Sequence, residues 1–273
     1  MGQDLFDNEH QRNLDEMRDY KVVKANDLIQ KTRFNLTLQE QKIILFLISK
    51  IKPEDLELKT HDFKILEFCQ VCGIETDSGG NYKYIKNTIK SLSDKSFWIE
   101  IDQKEKLLRW IYTAEISKRS GLISIRLSDE IKAFLIQLQE KFTQYELIYT
   151  LSMKSQYSIR LYELLKSYEY RHGHIFSIEE LKKKLNAETY NRFQDLRRYS
   201  LEPALKEINE LTDLTVTYAV EKVGRKFEKI KFDVELKKDS FERFRVFKQI
   251  EANLGGKNKP KQTKTSLRVS KKN

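Results

Sequence analysis

The chain is predicted to fold as an α+β protein that uses one plan twice, and three observations carry that prediction. Apolar residues recur at helical spacing in separate stretches, each followed by short runs with the two-residue period of strands. The order helix, strand, helix, helix, hairpin occurs in residues 37–127 and again in residues 152–234, at an offset of about 113 residues. The last helix and hairpin of the second copy are rich in arginine and lysine.

In the first copy, Thr37-Leu38-Gln39-Glu40 has the form of a capping box and opens an apolar helix, Ile43 to Ile51, that Pro53 should end. Phe63 to Phe68 reads as a short strand turning into a short helix. A second helix, Asn81 to Ser93, carries Lys83, Lys86 and Lys90. Phe97 to Ile101 is expected to pair with Arg109 to Ile116, extended by Leu122 to Leu127. Ser128 to Gln139 is predicted as a linking helix, with Ile131, Phe134, Leu135 and Leu138 on its apolar side.

The second copy opens near Ser152 and runs as a helix through Tyr157, Leu161, Leu164 and Leu165 to Tyr170. Phe176 to Leu181 is again a strand turning into a helix, and Ser177 with Glu180 forms another capping box. The long helix Tyr190 to Leu211 follows. Phe193, Leu196, Ala204, Ile208 and Leu211 line its core side, with Leu201 and Leu205 on the flank. Arg198, Glu202 and Lys206 lie on the other side with Arg192 and Asp195, while Arg197 sits near the boundary and can reach either way. Pro203 removes an amide mid-helix, so it kinks the helix or starts a new segment.

After this helix, Leu214, Val216, Tyr218 and Val220 alternate with small or polar residues, and Ile230, Phe232 and Val234 alternate with Lys229, Lys231 and Asp233. Lys222-Val223-Gly224-Arg225-Lys226 makes the turn between them, with Gly224 free to take a positive φ and cations suited to phosphates. A long helix with an arginine-loaded start running into a basic hairpin is the working end of a winged helix. It points to duplex DNA as the partner.

Length and charge agree with this reading. The chain has 273 residues, enough for about two domains. Its net charge of +10 favours a polyanionic partner. That charge is uneven: Gly255 to Asn273 holds six Lys and one Arg with no acid, which leaves +3 for the other 254 residues. A disordered basic tail is therefore expected, and the body must contact DNA through local clusters.

Other chemistries are disfavoured. No run of 18 apolar residues exists and the start lacks a signal core or myristoylation pattern, so no membrane association and a cytoplasmic location are expected. Cys69 and Cys72 form a C-x-x-C without a second ligand pair, so both are expected to pack as small apolar residues. His172-Gly173-His174 lacks the buried central residue that would orient two metal ligands, which argues against a nicking enzyme, and a loop is its expected setting. Gly255-Gly256-Lys257-Asn258 is not a phosphate-binding loop, because the upstream Gly and following Ser or Thr are missing. Neither a cofactor nor catalysis is expected.

Four segments carry a more specific likeness: Val22 to Ile29, Leu36 to Ile43, Ser158 to Lys166, and Arg197-Arg198 through Leu201-Glu202-Pro203-Ala204 to Asn209. In this order they resemble the plasmid replication initiators of the RepB/Rep_3 superfamily, over residues 20–236. The resemblance implies two tandem winged-helix domains joined by a helix, residues 21–145 and 146–238, after an N-terminal extension 1–20 and before a C-terminal helix and tail 239–273. It implies binding to short direct repeats (iterons) in an origin, help in opening the duplex, and recruitment of host replication proteins. A monomer/homodimer equilibrium and repression of the protein's own gene are also implied, and a winged-helix repressor without an initiator role is the alternative. The DNA-binding positions expected in the second copy are Arg192, Gln194, Arg197, Arg198, Lys206, Lys222, Arg225 and Lys226. Those in the first are Lys83, Lys86 and Lys90.

Overall fold

The computed structural model describes residues 21–237 apart from 53, 72–79, 118 and 225, together with 245, 246 and 248. The expected Gly255–Asn273 tail, Cys72, Arg225 and most of the expected C-terminal helix therefore lie outside the described residues.

The first half opens with β1 (Lys21–Ala25) and α1 (Asn26–Gln30), then α2 (Leu38–Ser49), β2 (Thr60–Lys64), α3 (Ile65–Val71) and α4 (Gly80–Ser93). The capping box forms: Thr37 Oγ1 accepts from the Glu40 amide, and Glu40 accepts from the Thr37 amide at 2.7 Å. Glu40 is buried and also accepts from Lys95 at 2.6 Å and Ser91 at 2.7 Å, which ties the start of α2 to the end of α4. Burial alone raises its pKa, but these hydrogen bonds outweigh it and hold the carboxyl below the ordinary range.

Two expectations for the first half need correction. The segment Phe97–Ile101 does not pair with Arg109–Ile116. Instead β3 (Ser96–Ile101) pairs with β4 (Lys104–Arg109), while β5 (Ile111–Ile116) pairs with β6 (Leu122–Leu127), whose other edge holds β2. The cause is a two-residue turn at Asp102 and Gln103, which take φ of 50° and 62°. This is the double left-handed geometry that matches strand twist in a tight hairpin. The strand Lys104–Arg109 is charged enough to have read as a loop. Second, the linking helix Ser128–Gln139 is only a 3₁₀ helix, Asp129–Phe134, capped by Ser128. Gln137 then takes φ of 55°, so the chain turns before a further helical turn is made.

The second half contains β7 (Phe142–Glu146), α5 (Leu147–Leu151), α6 (Gln156–Ser167), β8 (Gly173–Ser177) and α7 (Ile178–Leu185). Helix α6 starts at a Ser155 cap and stops at Ser167, short of Tyr170; a 3₁₀ turn, Glu169–Arg171, completes the run. Of the expected second box, Ser177 Oγ accepts from the Glu180 amide at 3.0 Å. His172 lies in the loop as expected, but His174 is in β8, stacked on Tyr168 at 3.9 Å between ring centroids.

The two halves are joined by paired polar groups. β1 lies antiparallel to β7, and buried Lys24 makes an ion pair with Glu163 of α6, which also accepts from Tyr145 at 2.6 Å. Arg160, also on α6, donates to the carbonyls of Ile29 at 2.8 Å and Thr32 at 2.7 Å. Those carbonyls belong to the end of α1 and the turn after it, where an incoming cation is favourable. Among the described residues, no helix is long and apolar enough to cross a membrane.

Candidate nucleic-acid interface

The expected long helix Tyr190–Leu211 begins later and runs in three pieces, α8 (Phe193–Leu196), a π-helical turn (Arg197–Leu201) and α9 (Glu202–Leu211), the last starting beside Pro203, where the sequence predicts a kink or new segment. Arg192 is the residue before α8 and has extended backbone. A hairpin follows, β9 (Leu214–Val223) against β10 (Lys226–Leu236), with β8 on the far side of β10. Leu214, Val216, Ile230, Phe232 and Val234 are buried, as their alternation requires. Gly224 takes φ of 61° at the tip. Gly173 is needed for a different reason: a Cβ there would stand 2.0 Å from the Phe232 carbonyl oxygen in the neighbouring strand.

Helix and wing are fastened at both ends. At the tip, Phe227 of β10 lies 4.6 Å from Phe193 of α8, and Lys222 sits over the Phe227 ring at 4.4 Å. At the base, the Asn209 amide side chain bonds both ways with Val216, donating to its carbonyl at 3.0 Å and accepting from its amide at 2.7 Å. Between them Glu202 accepts from Tyr218 of β9 at 3.5 Å and pairs with Arg197 at 3.2 Å. Burial, then the Glu202 charge, raises the Tyr218 pKa. Wing and helix therefore present one rigid surface.

Along these fastened elements Arg192, Gln194, Arg197, Arg198, Lys206, Lys222 and Lys226 are each exposed. Arg192 is bidentate to Asp195, at 2.9 and 3.2 Å, and Lys206 lies 3.9 Å from Glu210. Surface pairs of this kind are worth at most about 1 kcal/mol, so phosphates can compete for these cations. Arg198 rests over the Tyr199 ring at 5.3 Å, and Tyr199 stacks on Tyr190 at 6.1 Å. Tyr190 in turn meets Tyr157, and burial together with that contact pushes its hydroxyl up to about 12. The tyrosine stack, Phe227 and Asn209 were missed in the sequence. Tyr199 beside Arg198 was the available signal.

In the first half, Lys83, Lys86 and Lys90 are exposed on α4, whose Ile85, Ile89 and Leu92 are buried; Lys90 pairs with Asp94 at 2.6 Å. The first-half lysines and the second-half arginines thus occupy the last helix of each copy, the one that precedes the hairpin. Cys69 is buried and its thiol is pushed up to about 11 by that burial, which fits an inert packing residue. Among the described residues no cluster of three potential metal ligands occurs.

Comparison with known proteins decides the family. Residues 21–166 match the family described as initiator replication protein, WH1, and residues 177–234 match that described as initiator Rep protein, WH2. The chain belongs to the family of plasmid replication initiators. Two winged-helix domains thus follow one another along the chain, and the first match takes in β7, α5 and most of α6, the helix that opens the second copy. The initiator is 28% identical over 232 residues to a replication initiation protein of Escherichia coli, covering 81% of this chain and 71% of that relative. It is 30% identical over 154 residues, half of each chain, to the PI protein of Escherichia coli. It is also 22% identical over 221 residues to an uncharacterized 27.6 kDa protein of Escherichia coli, 75% of this chain and 91% of the other.

Proposed function

We propose that the initiator binds direct repeats in its plasmid origin as a two-headed reader, with α8 and the π turn of the second head, and α4 of the first, each entering a major groove. The heads are assigned to residues 21–145 and 146–238. The observation that supports this reading is the fastened helix and wing, on which Arg192, Arg197, Arg198, Lys222 and Lys226 are all exposed. Arginine forks reaching from a helix into the major groove pair with guanine edges, while the wing lysines suit phosphates. Lys83, Lys86 and Lys90 make the equivalent contact from the first head.

The protein acts by binding and not by catalysis. Duplex opening draws on binding energy and on host replication proteins recruited to the bound origin. A monomer/homodimer equilibrium, with the dimer repressing the initiator's own gene, is part of the proposal, as is a cytoplasmic location. Binding of the purified chain to an origin duplex with intact repeats, against the same duplex with the repeats scrambled, tests the reading. A preference of at least about 10³ is expected, the lower end for specific over non-specific protein–DNA binding. Equal affinity for both would overturn it.

A further inference from the structure

The helix that carries Arg197 and Arg198 is wider than an α-helix at the two arginines, and its apolar pattern requires that. Leu196 and Leu201 are both 0% exposed, yet they are five residues apart. At roughly 100° per residue, such a pair stands about 140° apart around a regular α-helix, too far for one buried stripe. The apolar set before the turn, Phe193 and Leu196, and the set after it, Ala204, Leu205 and Ile208, are each regularly spaced. One extra residue between them is what the π turn absorbs: the Glu202 amide donates to the Arg197 carbonyl, five residues back instead of four.

Pro203 supplies the second half of the cause. It has no amide to give the Tyr199 carbonyl, its ordinary α-helical partner, and its ring crowds that carbonyl in a regular helix. The turn also has a cost. Ser200 is fully buried, and its hydroxyl has no hydrogen-bond partner among the described residues. In exchange three consecutive side chains, Arg197, Arg198 and Tyr199, are all exposed. On a regular helix with the same stripe, Arg198 points outward, but Arg197 and Tyr199 are turned to opposite flanks, each about 100° from it.

We infer that the π turn held by Pro203 and the five-residue step from Leu196 to Leu201 is a specificity device, presenting Arg197, Arg198 and Tyr199 as one reading head. Ser200 and Pro203 are positioning residues: Ser200 is buried, Pro203 is exposed but has no hydrogen-bond donor to read a base, and both act through the backbone that carries the three. Turns of this type occur often at functional sites, and this one falls where the exposed arginines are. The inference rests on the assignment of this helix as the recognition element.

The test is a variant that regularises the helix without removing any exposed reader. Deletion of Ser200 combined with Pro203→Ala brings Leu196 and Leu201 to four-residue spacing, removes the unpartnered hydroxyl and restores the missing amide. The full chain is compared with wild type on cognate and scrambled duplexes at fixed salt, with thermal melting and circular dichroism alongside. The expected result is a melting temperature equal to or above wild type, unchanged affinity for scrambled duplex, and a loss of at least tenfold in the cognate-to-scrambled ratio. A folded variant whose ratio stays within twofold of wild type overturns the inference. If the deletion does not fold, Pro203→Ala alone decides by selection from randomised duplexes: a preference weakened several-fold supports the inference, and an unchanged base preference overturns it. Arg197→Ala/Arg198→Ala in the same assay separates the two claims. No effect of that pair removes the recognition-helix reading itself, whereas an effect of the pair without one of the deletion removes the π-turn inference alone.

Discussion

Replacing Arg197 and Arg198 with Ala should abolish most sequence preference while leaving a folded protein. Arg197 and Glu202 are each 52% exposed, so breaking their 3.2 Å pair costs the fold at most about 1 kcal/mol. Losing the contact of Arg198 over Tyr199, at 5.3 Å, adds about 0.5–1 kcal/mol at an exposed site. The fold should therefore lose no more than about 2 kcal/mol. Binding should lose more. Each guanine-reading fork is worth about 1–3 kcal/mol of discrimination, and up to about 1 kcal/mol is returned because Arg197 no longer has to leave Glu202. The net loss of about 1–6 kcal/mol corresponds to a drop in cognate affinity of about fivefold to on the order of 10⁴-fold. Affinity for scrambled duplex should change much less, since at most two phosphate contacts are at stake. Gel shifts or anisotropy on both duplexes at one salt concentration, paired with urea melts, give every quantity. An unchanged cognate-to-scrambled ratio would refute the assignment. A stability loss well above about 2 kcal/mol would show that these arginines belong to the fold.

Three further outcomes are expected. Phe227→Ala removes the ring that meets Phe193 and carries Lys222, so urea melts should show a loss of about 1–3 kcal/mol, with weaker binding to both duplexes as the wing is released. Glu40→Gln should destabilise the chain by about 1.5–3 kcal/mol at neutral pH, because Lys95 loses its charged partner. The folded pKa of Glu40 is depressed, so its contribution is present above the ordinary glutamate range, near 4.3, and is lost as pH falls through the lower folded value; melts across that window should be flatter in Glu40→Gln than in wild type. Deleting Gly255 to Asn273 should weaken all DNA binding without changing the preferred sequence, and lower the salt slope of log affinity by at most about 6 for seven cations. An unchanged slope would mean that the tail does not touch DNA.

The parts of the fold set by local chemistry were legible in the sequence. The Thr37 capping box, the alternation of the second wing and the exposed lysines of α4 each follow from spacing alone. What was misread depended on backbone geometry or tertiary pairing. Lys104–Arg109 has a strand's partner but a loop's composition, and its pairing is fixed by left-handed Asp102 and Gln103. Ser128–Gln139 has helical spacing, yet only one 3₁₀ run forms before the chain turns at Gln137. At the candidate site, the cations were visible as charges and Pro203 as a break. The π turn was hidden in a five-residue gap between two buried leucines, which an averaged helical period conceals. Phe227 and Asn209 had no signal at all, because their roles exist only once wing and helix are packed together.

The claim that one chain carries two reading heads is tested most directly by hydroxyl-radical footprinting on a duplex with a single origin repeat, with the stoichiometry measured on the same complex. One chain per repeat, protecting about two helical turns or ~20 bp on one face of the duplex, is the result predicted for tandem recognition helices. Lys83→Ala/Lys86→Ala should then erase protection over one of the two turns only. Protection of a single turn, or a requirement for two chains per repeat, would contradict the account and return α4 of the first half to a solvated surface.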